Sequence, residues 1–486
     1  MSTQDQARKG HHPGIALAIL VACQLMITLD GTIVNVALPQ LRADLGFSRT
    51  GLSWVSNGFG LAFGGLLLLG GRVGDVLGRR RIFTYGVIAF VLASAIGGLA
   101  QDPGVLLASR ALQGAAGAFA SSAAMALIIS NFPEGPERTK AMGAYAMVSA
   151  AGGSVGLVLG GLLIQATSWR WAFYINVPLG IAIVLTVPLY LTETERHPGR
   201  FDVIGALSST VGMSSLVYGL IRAGEKSWSD PLCVGALTLA VVTLLAFVLQ
   251  ERHAEQPIMP LWLFTSRDRA GAYVARAFLV ASMYGSFFFL AQYVQEVLGY
   301  SPVQNGLAFL PNMVGFFISA KVAGRYLPRW GTRRTALTGL PITAVGLLWL
   351  TQVGTDNNYL LHLGLPLLLL GSGIGFPMMA LTLASMVGIE ARDSGAASGM
   401  LNVVQQVGGA LGLSILVTVF GTATRHAAAH PKPGLSALDQ AHAVFVHGAS
   451  MAFLTASIFA MLAVVVVGFV IHPMKPSSVT LEPAID

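Results

Sequence analysis

The chain has 486 residues, 54% of them hydrophobic and 10% charged, with a mean hydropathy of +0.68. A soluble domain carries about 25% charged residues, so most of this surface is predicted to face lipid. The net charge of +7 is dispersed, which excludes a nucleic-acid patch, and Cys23 and Cys233 are too distant in sequence for a disulfide framework or a metal set.

Residues 1–13 are polar, and the apolar run 14–38 is too long for a signal-peptide core, so it reads as a retained span. At ~1.5 Å per residue it reaches roughly 37 Å, enough for a hydrocarbon core of ~30 Å. Asp30 lies inside it. A mid-span carboxylate costs about 2.5–3.5 kcal/mol even on the lenient insertion scale, so a function is expected of it. Gln24, Thr28, Thr32 and Asn35 form one polar stripe on this helix, roughly 150° away from Asp30. Stripe and carboxylate therefore face different walls. The stripe is either a cargo surface or a seam against another helix.

Further runs follow at 52–74, 82–100, 104–131, 139–167 and 171–192. Gly71, Asp75, Gly78, Arg79 and Arg80 close the second span. The arginines anchor an inner end, and the acid among them suggests a charge-paired latch, since acids do little to set topology. Arg110 begins ~9 Å inside the outer end of the fourth span and Asp30 ~12 Å inside that of the first, so the two can pair. Burial favours a protonated acid and a neighbouring guanidinium an ionised one; a carboxylate between the two can load and release a proton. The competing reading is a static pair, with Arg110 reaching to the interface. Arg110, Gln113, Gly114, Gly117 and Ser121 share a face, as nearly do Gly152, Gly156, Gly160 and Gly161 on the fifth helix; small residues there allow close helix approach.

Two more runs, 203–223 and 231–249, precede 270–297, 304–326, 334–354, 360–387, 395–421 and 447–471, fourteen in all. Runs of this length in lipid are helices. Gln292, Asn312 and Gln405 are substrate-binding candidates because polar side chains in lipid need partners. Arg276 and Lys321, about six residues from inner ends, are expected to snorkel to headgroups. His426, His430, His442 and His447 lack cysteines or a dense carboxylate set, so no metal is expected. No lysine follows a glycine, and no nucleophile–base pattern occurs in the spans. The chain is expected to be no enzyme and to use no cofactor, with an ion gradient as its energy source.

Nineteen of the 29 Lys and Arg residues fall on inner segments and seven on outer ones when the N-terminus is inside, which puts both termini in the cytoplasm. The sequence also repeats. Leu45-Gly46-Phe47-Ser48 recurs as Leu298-Gly299-Tyr300-Ser301, and Gly71-Arg72 with Gly78 as Gly324-Arg325 with Gly331, both at offset 253. Gly152, Gly153 and Gly156 recur as Gly408, Gly409 and Gly412 at offset 256. Duplicated halves imply a transporter. The expected division is a six-helix bundle over 1–192, a linker with two inserted helices over 193–255, a second six-helix bundle over 256–472 and a cytoplasmic tail over 473–486. At offset 253 the position matching Asp30 is Met283, and Pro328 matches Asp75.

These residues resemble a family. Gly71, Asp75, Gly78, Arg79 and Arg80 look like the loop signature of the major facilitator superfamily, and Arg110-Ala111-Leu112-Gln113-Gly114 like its fourth-span motif. Gly152, Gly156, Gly160 and Gly161 are similar to its antiporter motif, with Leu157 where that motif usually has Pro. Leu29-Asp30-Gly31-Thr32-Ile33-Val34-Asn35-Val36-Ala37-Leu38-Pro39 resembles the first-span motif of the fourteen-span drug:proton antiporters of the EmrB/QacA type, and Trp169-Arg170-Trp171 through Asn176-Val177-Pro178 fits that group. The resemblance implies an all-α membrane protein of the major facilitator fold: two six-helix bundles plus two inserted transmembrane helices. It implies multidrug or antibiotic efflux across the cytoplasmic membrane by alternating access, coupled to protons at Asp30 and Arg110, by a monomer whose cargo is a small hydrophobic compound, cationic ones included. The alternatives are transport of another small metabolite, or a multi-span sensor or assembly protein without flux.

Overall fold

A computed structural model describes residues 13–48, 51–132, 136–193, 202–254, 259, 261–355, 358–387, 389, 394–431 and 433–473; some side chains within helices, those of Arg72 and Asp75 among them, lie outside the description. Among the described residues there is no strand. The helices are α1 (Pro13–Leu45), α2 (Trp54–Leu77), α3 (Arg79–Gly98), α4 (Pro103–Asn131), α5 (Pro136–Ala166), α6 (Trp171–Tyr190), α7 (Val203–Glu225) and α8 (Pro231–His253). They continue with α9 (Arg267–Val297), whose last turn is π-helical. The stretch Leu310–Leu350 is two helices, α10 up to residue 330 and α11 from residue 332, broken at Gly331. Then come α12 (Leu360–Met386), α13 (Ser394–Ala429) and α14 (Ala437–Phe469). Each of the fourteen apolar runs falls largely on one of these helices, the run 304–326 starting on the short helix Pro302–Ala308 that precedes α10. Among the described residues, ten helical stretches are long and apolar enough to cross a membrane, and one of them, Pro302–Leu350, contains two of the runs.

Local chemistry sets the ends. Asp102 caps α4 by accepting the Val105 N–H at 3.1 Å, with Pro103 as first helical residue, and Ser436 caps α14 by accepting the Asp439 N–H at 3.2 Å. Positive φ occurs at Gly46 (70°) and Gly78 (110°), and again at Gly299 (68°) and Gly331 (72°). These are two pairs at the repeat offset of 253. The duplication therefore preserves backbone conformation where only glycine turns the chain without strain.

The chain divides into two compact units. The first comprises Met1–Ser214, Leu239–Met259 and Ser301–Gly306. In it α4 packs against α2 and α3, and α1 runs along α5. Phe59, Phe63, Phe83, Phe90 and Leu127 are buried together in its core. The contacts are close because glycines make them so: a Cβ on Gly114 would meet the Phe59 carbonyl, one on Gly86 would lie 2.8 Å from the Ala120 nitrogen, and one on Gly160 would lie 3.1 Å from the Ile33 backbone.

The second unit comprises Ser215–Thr238, Pro260–Tyr300 and Leu307–Asp486. Here α9 runs along α13 and α14, and α12 packs against the α10–α11 pair. Gly408 on α13 lies against Ala277 of α9 and Gly412 against Ala281, the counterpart of the α1–α5 contact. The α7–α8 turn is pinned where Arg222 donates to Asp230 at 3.1 Å, which holds the Asp230 carboxyl below its usual value.

Candidate functional site

The first unit encloses one buried charge system. Asp30 is 0% exposed at mid-length in α1, and Arg110 of α4 is 1% exposed. Arg110 Nη1 donates to Asp30 Oδ2, so the two charges meet inside the bundle. Gln113, one turn along α4, donates from Nε2 to Asp30 Oδ1 at 2.9 Å, and Asn176 of α6 donates from Nδ2 to the same oxygen at 2.8 Å. Three donors from two helices thus converge on one carboxylate.

The guanidinium is held with equal care. Its Nε donates to the Val55 carbonyl of α2 at 2.8 Å and its Nη1 to Gln113 Oε1 at 2.9 Å. The Phe59 ring lies beneath it at 4.5 Å, within cation–π range. Ser94 of α3 accepts from Gln113 Nε2 at 2.8 Å and from Asn176 Nδ2 at 3.4 Å. Asn176 Oδ1 is buried and has no partner among the described residues. Buried amide oxygens without a partner are uncommon, and this one belongs to the same carboxamide whose Nδ2 binds Asp30. The arrangement is complete for an ionised carboxylate and keeps one acceptor in reserve.

The polar stripe of α1 lies elsewhere. Thr28 and Thr32 pack where Cβ atoms on Gly152 and Gly156 of α5 would fall, and each donates its hydroxyl to its own helix. Gln24 Oε1 accepts from Tyr145 of α5 at 2.6 Å and from Ser121 of α4 at 3.2 Å. Asn35 donates to the Gly31 carbonyl and accepts weakly from Ser56. Asp30 faces α4 and α6, and the stripe follows α5. The last glycine of the α5 series, Gly161, lies against the backbone of Pro302 and Val303 in the same unit.

At the α2–α3 junction Gly78 takes the φ of 110° that turns the chain, Gly71 is half-buried, and Arg79 Nη1 donates to the Ala126 carbonyl of α4 at 3.2 Å. The Asp75 side chain lies outside the described residues. The acid in view is Glu193, just beyond α6: its Oε1 accepts the Arg80 N–H at 2.9 Å, and its Oε2 lies 4.0 Å from Arg80 and 3.9 Å from Arg81. Counting only Lys and Arg in the loops passed over it.

In the second unit the candidates do not converge on one site. Gln292 donates to the Phe288 carbonyl of its own helix at 3.2 Å, and Asn312 to the Leu367 carbonyl of α12 at 3.3 Å. Gln405 accepts from Arg276 Nη2 at 2.8 Å. This corrects the expectation that Arg276 snorkels: it is only 7% exposed, turned inward to α12 and α13. Snorkelling requires the side chain to lie on the lipid face, and Arg276 is rotated away from it. Lys321, by contrast, is exposed. His426 and His430 stack at 4.7 Å, and among the described residues no group of three ligating side chains could hold a metal.

Asn176 and Ser94 are the site residues that the sequence reading missed. Asn176 is a polar residue near the start of an apolar run, and the cost argument that singled out Asp30 applies to it as well.

Comparison with known proteins gives this arrangement a context. The family model described as Major Facilitator Superfamily matches residues 20–413. The puromycin resistance protein of Streptomyces alboniger is 43% identical over 84% of this chain and 82% of its own length. The cephamycin export protein of Amycolatopsis lactamdurans is 36% identical over 84% and 85%. Among solved structures, a bacterial homologue of the human lysosomal transporter Spinster, inward-facing and unoccupied, superimposes with a TM-score of 0.66 at 16% identity, over 93% of this chain and 96% of that one. That last match is a likeness of fold.

Proposed function

The chain belongs to the major facilitator superfamily, and from that premise we propose that it is a drug exporter of the cytoplasmic membrane, moving a small hydrophobic compound outward by alternating access in exchange for protons. The observation that carries the reading is the buried Asp30 carboxylate, bound by Arg110, Gln113 and Asn176. The relatives' names, puromycin resistance and cephamycin export, support a drug as cargo. The proton gradient supplies the energy without a cofactor, the monomer suffices, and both termini face the cytoplasm.

The proton step follows from the donor set. Ionised, Asp30 accepts three N–H groups and neutralises Arg110. Protonated, it presents an O–H that needs an acceptor, and Asn176 Oδ1 becomes one if the amide turns over. Arg110 then retains the Val55 carbonyl, Gln113 Oε1 and the Phe59 face, but its charge is no longer balanced. A buried unbalanced cation is costly, so protonation biases the bundle toward an arrangement that returns the proton. Release to the inside restores the pair.

The test is transport by purified protein in proteoliposomes with an imposed pH gradient and puromycin as probe. Wild type is expected to move the probe against its gradient. Asp30→Asn is expected to remain folded, by a cooperative melt at a lower temperature than wild type because Arg110 loses its counter-charge, and to lose gradient-driven movement. Undiminished proton-coupled transport by that variant would sink the proton assignment.

A further inference from the structure

Arg276 is a buried charge that the proton step does not use. Its guanidinium stays protonated under all ordinary conditions and lies within the second unit, 7% exposed. Every partner in view is neutral: Nη1 donates to Thr382 Oγ1 at 2.9 Å and more weakly to the Met378 carbonyl at 3.5 Å, and Nη2 donates to Gln405 Oε1 at 2.8 Å. Nε is buried without an acceptor among the described residues. Among the described residues no carboxylate pairs with it, in contrast to Arg110, whose charge Asp30 balances.

The surroundings are built rather than incidental. Glycines 408, 409 and 412 draw α13 onto α9, with the Tyr284 ring against Gly409, and this brings Gln405 to the guanidinium. Tyr284 is 38% exposed. Thr382 spends its own proton on the Met378 carbonyl at 2.7 Å, so its oxygen is presented to Arg276 as an acceptor. A cation, two oriented polar groups and an exposed aromatic ring thus adjoin one another on α9, α12 and α13.

The geometry points to an anion subsite: Arg276 receives a carboxylate or phosphate oxygen of a bound molecule, with Tyr284 against its apolar body. An organic acid and an anionic lipid headgroup share that chemistry. As a feature of cargo recognition the subsite rests on the exporter reading above, and it favours cargo with an acidic or zwitterionic group.

The test measures binding to purified full-length protein in neutral detergent by the shift in melting temperature with concentration. The probes are benzoate, inorganic phosphate, phosphatidylglycerol and, as the cationic control, benzyltrimethylammonium. Wild type is expected to be stabilised by an anion and not by the cation. Arg276→Gln is expected to melt no lower than wild type without ligand, since it removes an unbalanced buried charge, and to bind the anion roughly tenfold to a hundredfold more weakly. Arg276→Lys, which keeps the charge and loses the fork, is expected to fall between. A response to benzoate assigns the subsite to an organic acid; one to phosphatidylglycerol alone assigns it to a lipid headgroup.

Equal shifts in wild type and Arg276→Gln, or no shift with any anion, would overturn the subsite. Asp30→Asn keeps the two readings apart: it is expected to retain the anion shift while losing gradient-driven transport. A wild type that binds the anion through Arg276 and moves nothing would sink the exporter reading and leave the subsite standing.

Discussion

Asp30 and Arg110 hold each other in place, and the cost of separating them follows from their burial. Arg110→Gln leaves a carboxylate at 0% exposure with two amide donors and no counter-charge. Breaking a buried pair from one side costs about 3–5 kcal/mol, whereas removing both charges together costs far less. The melting temperature in detergent should therefore drop sharply for Arg110→Gln and recover in Arg110→Gln combined with Asp30→Asn; additive losses would mean the two charges do not interact. Asn176→Leu keeps the number and branching of the heavy atoms and removes both the donor and the spare acceptor. Initial rates of gradient-driven transport, measured across pH, are expected to fall roughly tenfold, the loss associated with one hydrogen bond to a charged group. An unchanged rate and profile would remove the amide from the proton step. The charged pair was legible in the sequence because a charge in a lipid span is expensive wherever its helix points. Asn176, Ser94 and the inward turn of Arg276 were not, because partner choice depends on the rotation of each helix about its axis.

At the scale of helices, glycine spacing was the more informative pattern. Gly152, Gly156 and Gly160 do form the seam between α5 and α1, and Gly114 sits where α4 meets α2. Gly114→Val would drive side-chain atoms into the Phe59 carbonyl, and overpacking of this kind costs about 1–3 kcal/mol. Gly31→Ala meets nothing within 4 Å and should be tolerated. Thermal melts of the two variants separate a packing glycine from an open one, and equal melting would contradict the close contact. What spacing could not reveal is which polar residues the seam consumes. Thr28 and Thr32 looked equally suited to cargo or to a neighbouring helix, and they lie against the α5 glycines. The acid beside Arg80 was missed for a related reason: Glu193 follows a different span and is brought in only by the turn at Gly78.

For the whole molecule, the duplication set the architecture, and the positive-φ pairs Gly46–Gly299 and Gly78–Gly331 show it persisting in the backbone. The two copies have nonetheless parted chemically. In the first unit the buried Arg110 is balanced by Asp30, whereas in the second the buried Arg276 has no carboxylate partner among the described residues. Asp30, Ser94, Arg110, Gln113 and Asn176, the polar side chains about the proposed proton, belong to residues 30–176, one uninterrupted stretch of chain within one unit. If the proposed proton step and the proposed cargo contact are divided in this way, recombination can treat them as separate cassettes. A chimera joining residues 1–192 to the remainder of the cephamycin export protein is expected to move cephamycin with a dependence on Asp30, measured in the same vesicles; transport indifferent to Asp30 would show that the drive is not confined to the first half. If the engine does travel alone, a lineage can acquire resistance to a new compound by recombination downstream of residue 192, without reinventing how the pump is powered.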